Sequence, residues 1–214
     1  MDFNFDYKAV RAETIEFLGQ QGFPRSIFSV SESVFETLKK MEIHMRNHRK
    51  GEKDISKQRE SVLSIVEEHE MEAAHSTRLL PGILDTLRTL KQMGLEIALF
   101  TVNGKKSTNY ILKALRIKRF FDNVVTRDSV PMVKPNPVHL EAALKMLKVE
   151  PEEAVVVGDS IWDMKSAMEL KVVAVGVSTG VSTPKELSRA GATYLISAMD
   201  LPTLIKQLNE KPEL

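Results

Sequence analysis

The apolar positions of this chain follow one rhythm up to about residue 77 and another after it. In Tyr7–Gln20, Val10, Ile15, Phe17 and Leu18 fall near helical spacing, closed by Gly19, Gly22 and Pro24. Ser31–Lys50 carries a second helical stripe, and Asp54–His75 a third, of Ile55, Val62, Leu63, Ile65, Val66 and Met71. No stretch before Thr77 reads as a strand, so residues 1–77 are expected to form a small helical bundle. From Leu79, helix and strand alternate. The pattern predicts helices over Pro81–Met93, Lys105–Leu115, Pro137–Leu147, Ile161–Leu170, Pro184–Ala190 and Met199–Asn209. Between them it predicts strands over Leu95–Thr101, Asn123–Thr126, Ala154–Gly158, Val172–Val177 and Thr193–Ile196. Such alternation implies right-handed crossovers and a largely parallel sheet. Residues 78–214 are therefore expected to be an α/β unit, a Rossmann-like parallel sheet flanked by helices. Val155-Val156-Val157 reads as a strand buried on both faces.

Composition removes several function classes. The 30 Lys and Arg balance 29 Asp and Glu, so no nucleic-acid or membrane surface is expected. Cysteine is absent, which excludes disulfides, thiolate metal sites and cysteine nucleophiles. No apolar run approaches a membrane span and the N-terminus lacks the apolar core of a signal peptide, so the expected location is cytoplasmic. Nothing in the pattern specifies an oligomeric state.

Chemistry collects at three strand tips. Thr101-Val102-Asn103-Gly104 places a hydroxyl, then main-chain amides, at the start of a helix, which suits a phosphate. The plainer reading is that Thr101 and Asn103 cap that helix. In Val133-Lys134-Pro135-Asn136-Pro137, the proline after Lys134 holds it in an extended conformation, where it can neutralise a phosphoryl oxygen or hold a carboxylate. The plainer reading is a solvated lysine. Gly158-Asp159-Ser160 follows the valine run, with Asp163 about one helical turn further on. Two carboxylates converging at a strand tip suit a hard cation such as Mg²⁺. Here the plainer reading is that Asp159 caps the next helix.

Taken together, the order and spacing of these tips resemble the haloacid-dehalogenase-like hydrolase superfamily, in its phosphoglycolate-phosphatase-like branch. The resemblance is tight over about Leu79 to Ile205, with Pro81-Gly82 and Val175-Gly176-Val177 agreeing as well. It implies that Thr101 binds the phosphoryl group, with Val102 and Asn103 supplying nearby amides. It implies that Lys134 steadies the nucleophile and the transferred group, and that Asp159 and Asp163 bind Mg²⁺. The fold implied is a Rossmann-like core, with the N-terminal helical part as a mobile cap. The activity implied is Mg²⁺-dependent hydrolysis of a small phosphorylated metabolite, or a phosphomutase variant of it. Dehalogenation fits less well, because it needs no metal pair. In the cap, His44, Arg46, His48 and Arg49 are candidate anion contacts, although such a run is commonly a solvated helix end.

The family's first motif, a buried strand ending in Asp-x-Asp-x-Thr, is missing from this sequence. Asp2 and Asp6 are the only early aspartates, and Asp6 is followed by Tyr7-Lys8-Ala9, with no second acid and no threonine. Two expectations follow. In one, the chain starts late and the functional product carries that strand upstream of Met1. In the other, the short form is genuine, a non-catalytic binding or regulatory protein on an eroded fold. The presence of Thr101, Lys134, Asp159 and Asp163 favours the first. Under both, this chain alone should have little phosphatase activity. The resemblance places the missing strand between those ending at Thr101 and Asp159. Those two should then close on each other, be bridged by another segment, or be weakened; Met1–Phe5 could supply only a stub. A flavodoxin-like receiver or nucleotide module fits less well, since no glycine-rich loop follows a first strand.

Overall fold

Both rhythms in the sequence have a counterpart in space. A computed structural model describes residues 1–180 and 182–210. Its backbone divides into two units, Phe3–Thr77 and the remainder, in which Met1–Asp2 join the chain from Arg78 onward.

The unit Phe3–Thr77 is helical: α1 (Tyr7–Gln20), α2 (Val34–Asn47) and α3 (Glu52–Ser76). Leu18, Leu38, Met41 and Val62 meet in its interior with 0–1% of their surface exposed. Asp6 is the N-cap of α1, accepting from the amides of Lys8 and Ala9 at 3.0 and 2.9 Å. α2 starts three residues later than the apolar pattern predicts, because Ser33 and Glu36 form a capping box there. Arg46 forms an ion pair with Glu52 at 3.2 Å, and the His44 and His48 rings stack at 4.1 Å.

The second unit contains α4 (Ile83–Gln92), β1 (Ala98–Phe100), α5 (Lys105–Ala114), β2 (Asn123–Val125) and α6 (Val138–Leu147). There follow β3 (Val155–Gly158), α7 (Ile161–Glu169), β4 (Val173–Val177), α8 (Pro184–Arg189), β5 (Tyr194–Ile196) and α9 (Leu201–Glu210). α4 ends where Gly94 takes a φ of 80°, a left-handed turn that favours glycine. The described strands pair in parallel, as alternation with helices requires. Among the described residues the strands form two sheets rather than one: β1 with β2, and β3-β4-β5 in that order. β1 and β3 are therefore each an edge. Ala98 aligns with Asn123, and Val155 with Val173.

Helices tie the two sheets together. Under α6 and α7, Phe100 of β1 packs on the same cluster as Val156 of β3, with Leu140, Leu144 and Met164. On another face, Leu95 and Ile97 share a cluster with Val155, Val175 and the α9 residues Leu201, Leu204 and Ile205. The valine run is not covered on both faces as its composition suggests: Val156 is buried, but Val157 is 37% exposed. β1 is also shorter than the apolar run Leu95–Thr101. Both differences have one physical cause. A strand with a partner on one side only is half-covered, and its ladder is held from one side. Met1–Phe5 do not pair with either edge. Instead Asp2 and Arg78 exchange main-chain hydrogen bonds of 2.8 and 3.2 Å as an isolated antiparallel bridge. No described helix is long and apolar enough to cross a membrane.

Candidate active site

At the end of β1 the chain turns sharply. The Thr101 amide continues the ladder to the Val125 carbonyl at 2.9 Å, and its hydroxyl oxygen accepts from the Asn103 amide at 3.2 Å. Neither Thr101 nor Asn103 caps α5, so that plainer reading does not hold. The N-cap is Gly104, and the first amide of the helix, Lys105, donates to Asp128 Oδ2 at 2.6 Å. Arg127 holds the same loop from below. Its main-chain N–H donates to the Asn103 carbonyl and its Nη1 to the Val102 carbonyl, each at 3.3 Å. The 3₁₀ turn Arg127–Ser129 thus braces the Thr101–Gly104 loop.

Lys134 is not a solvated lysine. Its side chain is 15% exposed, and its Nζ donates to Asp163 Oδ1 at 2.6 Å. The same ammonium lies 3.4 Å from the Phe100 carbonyl oxygen and 4.6 Å from the centre of the Phe100 ring. One cation therefore links the tip of β1 to the first turn of α7. The Thr101 amide is bonded to β2, so the alternation of a parallel ladder turns the Phe100 carbonyl to β1's other edge. That edge is the one facing Asp163.

Asp163 and Asp159 differ in their surroundings. Asp163 is buried, with its second oxygen accepting from the Ser160 amide at 3.2 Å. It completes a capping box with Ser160, the N-cap of α7. Asp159 is therefore not the cap. A Cβ on Gly158 would overlap the Asp163 carboxylate, so only glycine lets the strand end pass this close. Gly180 stands in the same relation to the Asp159 carboxylate. Ser182 fixes the loop beneath, its N–H donating to the Asp159 carbonyl at 3.3 Å and its hydroxyl accepting from the Ile161 amide at 3.2 Å. Burial first, then the charge of Asp163, raises the Asp159 carboxyl above the ordinary aspartate range, against the opposing charges of Lys134 and the chain's amino terminus.

The structure thus gathers Lys134, Asp159 and Asp163 around the end of β3, and brings the Thr101 loop to the same ammonium through Phe100. Sequence reasoning missed Phe100, Arg127, Asp128, Gly180 and Ser182. Arg127-Asp128 had a signal, a charged pair directly after the apolar run of β2. The others had none, since each acts through a contact made by a distant segment. Arg46, a candidate anion contact in the helical unit, is engaged with Glu52.

A hard divalent cation fits this donor set in part. The Asp159 carboxylate disfavours its own ionised state, and a bound cation would relieve that. Among the described residues no group of three or more His, Cys, Asp or Glu is placed to hold a metal ion. The two carboxylates suit an ion that keeps water and takes further oxygens from a phosphate, as Mg²⁺ does.

Residues 25–177 match the family described as Haloacid dehalogenase-like hydrolase. The chain is 30% identical over 137 residues to Phosphoglycolate phosphatase 1 of Pseudomonas aeruginosa, covering 64% of this chain and 50% of that protein. It is 31% identical over 128 residues to Pyrophosphatase PpaX of Bacillus mycoides, covering 59% of this chain and 60% of that one. Among solved structures it is similar to a hydrolase from Pseudomonas syringae, with a TM-score of 0.64 and 32% identity over 73% of each chain. The chain spans about half the length of the first of these relatives.

Proposed function

The chain belongs to the haloacid dehalogenase-like hydrolases, and from that premise we propose that its strand tips are the phosphoryl and metal seats of a Mg²⁺-dependent phosphomonoester hydrolase. The substrate is a small phosphorylated metabolite, in line with the names of the phosphatase and pyrophosphatase relatives. One observation carries this reading: the Lys134 ammonium stands between the β1 tip and Asp163, beside an Asp159 whose ionised form burial and Asp163 disfavour. In this reading the Thr101 hydroxyl and the amides of Val102 and Asn103 bind the non-bridging phosphoryl oxygens. The Asn103 amide gives up its bond to Thr101 Oγ1 to do so. Lys134 offsets the charge of the carboxylates and the phosphate crowded around it. Asp159 would hold Mg²⁺ directly. Asp163, already engaged by Lys134 and Ser160, would reach the ion through water. When bound, the metal supplies charge neutralisation at the phosphoryl oxygens and alignment for in-line attack. The helical unit is proposed as the cap that selects the substrate, as the resemblance implies.

The attacking carboxylate is not in this sequence, which contains no Asp-x-Asp-x-Thr. We place it on a further parallel strand alongside the free edges of β1 and β3. The chain alone should therefore hydrolyse p-nitrophenyl phosphate no faster than background. Joined ahead of Met1 to an apolar strand ending in Asp-x-Asp-x-Thr, it should hydrolyse the ester in Mg²⁺ but not in EDTA, and lose this when the first acid becomes Asn. Full activity of the chain alone would overturn the mechanism. Inactivity of the joined form would favour a non-catalytic binding protein.

A further inference from the structure

Among the described residues, His139 is a fully buried ionisable side chain beside the site that the chemistry above does not use. It is 0% exposed, at the start of α6. Its Nε2 lies 3.3 Å from the Val125 carbonyl oxygen at the end of β2. A carbonyl only accepts, so Nε2 carries the proton. Nδ1 is then the lone-pair nitrogen, and it accepts from the Lys134 main-chain N–H at 3.3 Å. The ring also meets Phe100 edge to face, with centroids 5.5 Å apart and planes at 85°. The face of that same Phe100 ring lies under the Lys134 ammonium.

Lysine is a point charge on a flexible four-carbon stem, and its position is costly to fix. Here it is fixed at both ends. Its main chain is tied through His139 to the end of β2, and its ammonium rests between the Phe100 ring, the Phe100 carbonyl and Asp163. We propose that His139 is a positioning residue. As the neutral Nε2–H tautomer it ties the Lys134 loop to β2 and, with the Phe100 ring, sets where the ammonium stands. The low pKa of the ring, about 4 through burial first and then the charge of Lys134, agrees with a permanently neutral imidazole. A residue needed only for packing could be replaced by phenylalanine with no change in how the site holds phosphate. The proposal rests on the reading of Lys134 as the group that faces the phosphoryl oxygens.

The test uses the chain as it is. Nitrogen NMR of histidine-labelled protein at neutral pH should show His139 as the Nε2–H tautomer. Inorganic phosphate, titrated with Mg²⁺ present, should bind His139→Phe about tenfold more weakly, the effect of one or two lost hydrogen bonds in the frame. His139→Gln, which both accepts and donates, should recover affinity to within about threefold of the parent. Lys134→Gln should lose binding, and circular dichroism should show each variant folded. A cationic or Nδ1–H ring overturns the proposal. So does a folded His139→Phe with parental affinity beside a weakened Lys134→Gln. If Lys134→Gln binds phosphate like the parent, the assignment of Lys134 itself falls, and this proposal with it. If His139→Phe does not fold, the tautomer of the parent chain decides.

Discussion

Burial and the neighbouring Asp163 raise the Asp159 carboxyl, so the folded chain holds a group that ionises less readily than it does unfolded. A carboxyl with a raised folded pKa costs stability wherever it is ionised, and the cost disappears as pH falls through the folded and then the unfolded value. Asp159→Asn should therefore melt higher than the parent at neutral pH. The gap should shrink as pH drops toward about 4, the unfolded aspartate range. Mg²⁺ should narrow the gap by raising the parent alone, since a ligand stabilises only the form that binds it. Thermal melts over pH, with and without Mg²⁺, check this; a lower-melting Asn variant would remove the argument. The carboxylates were legible in the sequence because two acids after a valine run have few uses. The division of labour between them was not. It depends on Ser160 taking the cap and on Lys134 reaching Asp163 across 29 positions of chain.

The strands show what periodicity can and cannot say. Gly and Pro punctuation marked where strands and helices alternate, because those residues restrict or free the backbone locally. How many neighbours a strand has is a long-range property, and the run Val155-Val156-Val157 gave no hint that Val157 would be 37% exposed. β4 is bonded on both sides, while β1 and β3 are each bonded on one. Main-chain amides on the free edges should exchange with solvent much faster than those of Val173–Val177. Hydrogen exchange read residue by residue tests this. Uniformly strong protection across Ala98–Phe100 and Val155–Gly158 would show that those edges are closed. Adding the acid-bearing strand should slow exchange at these same positions.

Across the molecule, the α/β architecture followed from alternation alone, whereas the split into two sheets did not. The split depends on what lies between β1 and β3, and no local pattern records that. Stability carries a trace of the same region. His139 sits near pKa 4 in the fold against 6.5 as an ordinary histidine. Its folded pKa is lowered, so the unfolded chain takes up the proton first. The stability it lends is complete above about 6.5 and drains away as pH falls toward 4, by about 3 kcal/mol. Urea unfolding of the parent and of His139→Phe over that range should show the parent's advantage shrinking by this amount; parallel curves would contradict it. Finally, Asp2 and Arg78 are bonded to each other on either side of Phe3–Thr77. The two residues that flank the helical unit in sequence are thus pinned together, so a different bundle with its ends equally close could be spliced between them without re-threading the remainder.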